Sequence, residues 1–294
     1  MSENVTNTNP IENNGAVVAP CSSHCYPASL PLDTIICGDN CEVMRTMPSE
    51  SIDLVVTSPP YDDLRTYGGH DWDFYGVAWN LKRLLKQGGV IVWVVNDKTE
   101  NGQETGTSMR QALHFQSIGL RLHDTMIYAK DACPFPETNR YYPSFEYMLI
   151  LSKGKPSTTN LIADKPNNRA GEQGGHSQRE ADGSIQPISK RKNGGVHIVK
   201  DFGVRRNVWE YSPGYGKSTA DKVAYEHPAI FPEALARDHI LSWSNEGDIV
   251  LDPFSGSGTT AKMAKHNGRR YIGIEVNQEY CEIAEKRLAQ QLLW

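Results

Sequence analysis

The chain has 294 residues, with 30 Lys plus Arg against 35 Asp plus Glu, a net charge of −5. That length suits one large domain or a core carrying an inserted subdomain, and it is enough to bury a sizeable core without disulfide or metal staples. A content of 38% hydrophobic and 22% charged residues excludes a wholly disordered chain. Apolar runs such as Gly89–Val95 fall far short of the roughly 18 residues of a membrane span, and the acidic balance argues against a purely electrostatic nucleic-acid binder.

Residues 1–32 are rich in Asn, Ser, Thr and Pro, show no periodicity and read as a disordered N-terminal arm. They hold no basic stretch followed by an apolar one, so no secretory leader is expected. The expected location is cytoplasmic, with the six cysteines reduced. Cys21, Cys25, Cys37 and Cys41 form two C-x3-C pairs with His24 beside Cys25, but zinc clusters favour C-x2-C spacing. Cys37 also ends an apolar run that suits a buried thiol, so no metal is expected.

From Asp33 the pattern alternates. Thr34–Cys37 reads as a short strand, Cys41–Met47 as a helical turn or short helix, and Ile52–Val56 as a buried strand running into Thr57-Ser58-Pro59-Pro60-Tyr61. Phe74–Lys86 has helical spacing and ends at Gly88-Gly89. Val90–Val95 is a β-branched strand, and Thr107–Ile118 is a helix closed by Gly119. Leu120–Tyr128 and Tyr147–Leu151 are strands, candidates for a hairpin pair late in the sheet.

At about Ser152 the composition changes. Eleven Lys or Arg and six acids lie in residues 151–210, a net +5, so the remainder of the chain carries −10. A solvated loop and a nucleic-acid-facing insertion explain that stretch equally well; in the second case Lys190, Arg191, Lys192, Lys200, Arg205 and Arg206 would meet phosphates. Beyond it, Phe231–Trp243 reads as a helix with Pro232 in its first turn. Ile249–Leu251 is a strand, Asp252–Thr260 a Gly- and Ser-rich turn, Thr259–His266 a helix, Arg270–Ile274 a strand ending at Glu275, and Gln278–Leu293 a helix. Strands alternating with helices predict an α/β fold, a mostly parallel sheet with helices on both faces. The expected divisions are 33–151, the insertion 152–208, and 209–294.

Two segments carry chemistry. Asp252-Pro253-Phe254-Ser255-Gly256-Ser257-Gly258-Thr259-Thr260 follows a strand and opens a helix, where glycines permit a tight turn and close approach to a ligand. The next strand ends at Glu275, placed to accept both hydroxyls of a ribose. Each feature alone also suits a plain turn, but strand, turn, helix, strand and terminal acid together indicate an adenosine-containing cofactor. The G-x-G-x-x-G fingerprint fails, because Thr259, Thr260 and Ala261 follow Gly256-Ser257-Gly258. Gly216-Lys217-Ser218 is no P-loop, because Tyr211 stands where its first Gly belongs. Thr57–Tyr61 closes a strand at the carboxyl edge of the sheet, where such sheets bind ligands. Pro59 and Pro60 remove two N–H donors, leaving a rigid rim of carbonyl acceptors, the Ser58 hydroxyl and the flat face of Tyr61. That set suits a planar base with an exocyclic NH2, although a Pro-rich turn explains it as well when taken alone.

Thr57–Tyr61 resembles the Asp/Asn/Ser-Pro-Pro-Tyr/Phe/Trp catalytic motif of DNA amino-methyltransferases, and Asp252–Thr260 resembles their D-P-F-x-G-S-G-T loop for S-adenosylmethionine. The catalytic motif precedes the cofactor motif, with the insertion between them, an order similar to the permuted β class of N4-cytosine and N6-adenine enzymes. The resemblance covers about residues 33–150 and 207–294. It implies a Rossmann-like, S-adenosylmethionine-dependent methyltransferase fold with an inserted target-recognition region, and it favours DNA contact by the basic residues above. His227-Pro228-Ala229-Ile230-Phe231-Pro232 resembles the segment beside the methionine moiety, with Phe231 at the cofactor, and Gly38-Asp39 resembles the acid near the adenine.

By the same resemblance, Thr57, Asp252, Pro253, Phe254, Gly256, Gly258, Thr259 and Glu275 belong to the cofactor site, and Ser58, Pro59, Pro60 and Tyr61 to catalysis. The resemblance implies flipping of the target base, stacking on Tyr61, and hydrogen bonds from the amine to Ser58 and the Pro59 carbonyl before in-line transfer. Ser in the motif's first position favours cytosine N4 over adenine N6. A carbon-5 mechanism would need a Pro-Cys dipeptide, and Cys133-Pro134 has the reverse order. Methylation of RNA or protein amides, or a silent DNA-binding relative, are further alternatives. The implied partner is double-stranded DNA in a bacterial or phage-infected cell, with no membrane; a homodimer and a separate cognate restriction endonuclease are compatible with the family.

Overall fold

The computed structural model describes residues 30–61, 72–131, 140–172, 176–188 and 198–290. Cys21, His24, Cys25, Cys133, Lys190, Arg191 and Lys192 lie outside the described residues.

Eight strands form one mixed sheet: β1 (Thr34–Cys37), β2 (Ile52–Thr57), β3 (Leu85–Val95), β4 (Arg121–Ala129), β5 (Phe145–Ser152), β6 (Val208–Glu210), β7 (Ile249–Asp252) and β8 (Arg270–Glu275). Their order across the sheet is β1-β8-β7-β2-β3-β5-β4-β6. Every pairing is parallel except the two made by β5, which runs against both neighbours. The helices are α1 (Asn40–Thr46), α2 (Phe74–Leu84), α3 (Thr107–Ser117), α4 (Glu233–Trp243), α5 (Thr259–His266) and α6 (Gln278–Ala289).

The central strands are apolar on both faces because both are covered. On one side Leu54, Val56, Val90, Val92 and Val94 pack against Leu235 and Ile240 of α4, Ala261 of α5 and Ala284 of α6. On the other, Ile52, Val55, Ile91, Trp93 and Val95 pack against Met44 of α1, Leu81 of α2 and Phe115 of α3. Each fully buried aliphatic side chain contributes about 1.5–3 kcal/mol. The sheet is therefore a stiff platform, and the loops at its carboxyl edge inherit that stiffness.

Three details differ from the sequence expectation. Residues 85–89 continue into β3 instead of ending α2. Ile52 pairs with Leu85, and both are fully buried, so tertiary pairing overrides the helical propensity of Leu-Lys-Gln. Pro232 caps α4 from outside rather than occupying its first turn. Finally, Val208–Glu210 returns to the sheet edge beside β4, with Trp209 buried opposite Tyr128. Between β5 and β6 the chain forms small two-stranded pairs, Lys165–Pro166 with Phe202–Gly203 and His176–Arg179 with Ile185–Ile188.

The reversal of β5 brings that strand's first residues, Phe145 and Glu146, to the edge where the parallel strands end. Glu146 pairs there in register with Tyr128.

Candidate active site

A cavity of about 610 Å³ opens at that carboxyl edge, within the range of cavities that hold a small ligand. Its walls come from the ends of β1, β2, β7 and β8, from the start of β5, and from the segment preceding α4.

One wall is the turn between β7 and α5. Asp252, Pro253, Phe254, Ser255, Gly256, Ser257 and Thr259 all line the cavity. The turn is held from several directions. Asp252 Oδ1 accepts the Thr57 hydroxyl at 2.6 Å and the Phe254 N–H at 3.1 Å. Burial pushes the Asp252 carboxyl up to about 6 despite these donors and Thr260. Gly256 has φ +49°, and a Cβ there would sit 3.0 Å from the His227 ring. The Gly256 N–H donates to Glu275 Oε2 at 2.8 Å, while Glu275 Oε1 accepts the Asn277 N–H at 2.9 Å. Glu275 thus arrives at the cavity with its carboxylate already oriented.

Gly258 has φ +76° and begins α5, where a Cβ would lie 2.8 Å from the Ala284 methyl. It does not line the cavity; it lets α5 and α6 close together. Thr57 is likewise behind the wall rather than on it, fully buried against Asp252. Asp39 reaches the lining while capping α1, its Oδ1 accepting the Glu42 N–H at 2.8 Å. Phe231, with His227, Ala229 and Ile230, also lines the cavity. Ser255 lines the cavity, but its Oγ is buried towards Gly273 of β8, with no hydrogen-bond partner among the described residues.

The other wall holds Ser58, Pro60 and Tyr61, while Pro59 is buried beneath them and off the lining. Ser58 Oγ lies 2.7 Å from Tyr61 Oη, and Tyr61 donates to Glu146 Oε2 at 3.0 Å. Lys130, just beyond β4, donates to Glu146 Oε1 at 3.0 Å. Glu146 and Lys130 both line the cavity, with side chains 18% exposed. Neither belongs to a recognisable motif: Glu146 stands 85 residues after Tyr61 and meets it only because β5 is reversed. An acid at the start of a strand with a Lys at the end of its hairpin partner was the one available signal.

Of the six basic residues, three are described. Lys200 and Arg206 are exposed. Arg205, expected at a DNA face, is instead part of the scaffold. Its guanidinium pairs with Asp164, donates to Asp238 Oδ2 at 2.7 Å and to Tyr211 Oη at 3.1 Å, and lies 5.1 Å from the Trp209 ring centre. The hydrogen bonds to Asp164 hold its charge more firmly than usual. A planar fork with all its edges engaged ties the insertion to α4.

Among the described residues no group of three or more His, Cys, Asp or Glu could hold a metal ion, and no helix is long and apolar enough to cross a membrane.

A family profile described as DNA methylase matches residues 52–286. The orphan methyltransferase M.BamHII of Bacillus amyloliquefaciens is 57% identical over 246 residues, 83% of this chain and 91% of its own. The DNA adenine methyltransferase YhdJ of Escherichia coli K12 is 31% identical over 272 residues, 87% of this chain and 82% of its own. Among solved structures, the PvuII DNA methyltransferase, cytosine-N4-specific, shares the fold with a TM-score of 0.62 at 20% identity, covering 88% of this chain and 87% of its own. A protein of Thermus thermophilus solved with S-adenosyl-L-methionine reaches 0.56 at 26% identity, over 87% of this chain and 94% of its own.

Proposed function

The chain belongs to the DNA methylase family of N6 and N4 amino-methyltransferases, S-adenosylmethionine-dependent enzymes of Rossmann-like fold, and from that premise we propose that it methylates the exocyclic N4 of cytosine in double-stranded DNA. The observation that carries this reading is the convergence of Ser58 and Tyr61 with the Gly256 turn and Glu275 on one cavity.

The residues present fit the cofactor. Glu275 accepts the ribose hydroxyls, Asp39 lies towards the adenine, and Gly256 lets the backbone approach. Phe231, Pro253 and Phe254 give apolar cover, and Thr259 opens the helix whose N-terminus faces the cavity. Asp252 belongs to the same surface, and Thr57 and Gly258 support it from behind. S-adenosylmethionine, when bound, supplies an electrophilic methyl group on a sulfonium. The chain's own task is to bring an amine to it: Tyr61 stacks on the flipped base, and Ser58 Oγ and the Pro59 carbonyl accept the amine hydrogens. Unstacking costs a few kcal/mol, which these pocket contacts offset. Such a transfer needs position and preorganised acceptors more than it needs a strong base. Lys200 and Arg206, with Lys190, Arg191 and Lys192, meet the phosphates, while Arg205 keeps the insertion attached to the core.

Ser58 in the motif's first position favours cytosine. The 31% identity to an enzyme named for adenine supports adenine N6 as the second reading. Incubation of duplex DNA with labelled S-adenosylmethionine, digestion to nucleosides and mass analysis decide between them. The expected product is N4-methylcytosine. N6-methyladenine selects the second reading, and label in neither base overturns both.

A further inference from the structure

We infer that Glu146, braced by Lys130, is the terminal proton acceptor of a relay that begins at Ser58 and passes through Tyr61. The inference rests on the amine-methylation reading and deepens it by assigning the proton's path.

The hydrogen bonds fix the direction of the relay. As a carboxylate, Glu146 can only accept, and it takes one bond from Lys130 Nζ and one from Tyr61 Oη, each 3.0 Å. A phenol has one proton, and Tyr61 places it on Glu146. The 2.7 Å contact between Ser58 Oγ and Tyr61 Oη must then use the Ser58 proton. Ser58 is left as an acceptor towards the cavity, the polarity an incoming NH2 group requires. Without Glu146 the phenol could donate to Ser58 instead, and Ser58 could turn its own hydrogen towards the amine.

The same chain can carry the proton that transfer releases. The amine lone pair forms the N–C bond, and the C–S bonding pair of the methyl donor stays on sulfur. The methylated nitrogen then holds one proton too many. That proton moves to Ser58 Oγ as the Ser58 proton moves to Tyr61 Oη and the Tyr61 proton to Glu146 Oε2. Ser58 and Tyr61 end unchanged, Glu146 ends neutral, and the positive charge lost from the donor is matched by the negative charge lost from Glu146. Its 18% exposure then lets Glu146 return the proton to water at the rim. The catalytic motif admits Phe or Trp at the position of Tyr61, so this path depends on the side chains of this particular chain. Glu146 touches the base only through its neighbours, which makes it a positioning and proton-accepting residue.

The test compares Glu146→Gln, Tyr61→Phe and the double variant. Three readouts are needed: single-turnover methyl transfer, fluorescence of 2-aminopurine placed at the target base of duplex DNA, and affinity for that duplex. Gln keeps the shape but cannot hold the proton, and Phe keeps the stacking ring but removes the middle link. Each single variant is expected to lose about 100-fold in transfer rate, the usual scale of one proton-transfer group. Fluorescence and affinity should stay within about twofold in all three variants. The double variant should be no slower than either single one, because links of one relay are not additive. Glu146→Asp should recover part of the rate. A Glu146→Gln rate within about threefold of wild type overturns the relay, as does multiplication of the two losses, or a loss of fluorescence that tracks the loss of rate. A wild-type protein that places no methyl group on any DNA amine overturns the reading beneath it, which separates the two failures.

Discussion

The two walls of the cavity are held by different physics. Behind the β7–α5 turn, Arg287 of α6 is fully buried, and every edge of its guanidinium is used. It donates to the Ser257 carbonyl at 2.6 Å, to Thr259 Oγ1 at 3.1 Å, to Asp221 Oδ2 at 2.9 Å and to Glu233 Oε1 at 2.8 Å. Lys262 adds a further ion pair to Glu233 at 2.8 Å. Across the cavity, Ser58, Tyr61, Glu146 and Lys130 are joined in single file, half-buried at the rim. The first arrangement cannot shift without leaving charge unpaired in the interior, so it suits a surface that must keep one shape. The second can pass protons and readjust, so it suits the place where bonds change.

Removing the hub should give the largest effect. Arg287→Met leaves Asp221 and Glu233 with Lys262 as their remaining cation in this cluster, and breaking such a network costs about 3–5 kcal/mol. Urea unfolding should show that loss; a change below about 1 kcal/mol would mean that the cofactor wall does not depend on this brace. Next come the paired substitutions that separate the walls. Tyr61→Ala removes both the stacking contact with the base and the middle link of the relay, so it should lower turnover at least about 1,000-fold, while affinity for S-adenosylhomocysteine stays within about twofold. Glu275→Ala should do the reverse, weakening that ligand about 10–100-fold through lost charged hydrogen bonds while saturated turnover changes little. Equal effects of both variants on both quantities would show that the walls act as one unit.

This division also separates what could be read from the sequence from what could not. The β7–α5–β8 wall was legible because its chemistry is local: a strand, a glycine turn, a helix and an acid follow one another within residues 249–275. The strand limits Thr34–Cys37 and the helix limits Thr259–His266 agree with the expectation, since short apolar runs bounded by Gly, Asp or Asn leave little choice of register. Ser58 and Tyr61 were legible as a motif, but Glu146 and Lys130 were not. Their meeting depends on the direction of β5, and strand direction is a property of the whole sheet. Arg205 and Gly258 show the same limit from the other side. The basic composition of the insertion makes Arg205 a candidate for ligand contact, and the glycine-rich turn makes Gly258 one. The buried Asp238 claims the first and the methyl group of Ala284 the second, and both neighbours come from distant helices.

Asp252 joins the two walls, because its Oδ1 holds the Thr57 hydroxyl one residue before Ser58. Its buried carboxyl titrates near 6 in the folded chain, against 3.8 for an ordinary aspartate. Folding therefore favours the protonated form. Ionised Asp252 weakens the fold by about 2–3 kcal/mol above pH 6, and that penalty fades as pH falls towards 4. Asn at this position keeps an oxygen acceptor for Thr57 and Phe254 but never ionises. The stability of Asp252→Asn relative to wild type should rise by about 2 kcal/mol between pH 4 and pH 6 and stay level above. Urea midpoints taken across that interval check it. Parallel pH profiles for the two proteins would mean that Asp252 is not ionising at the joint, and that the walls meet through Thr57 without a buried charge between them.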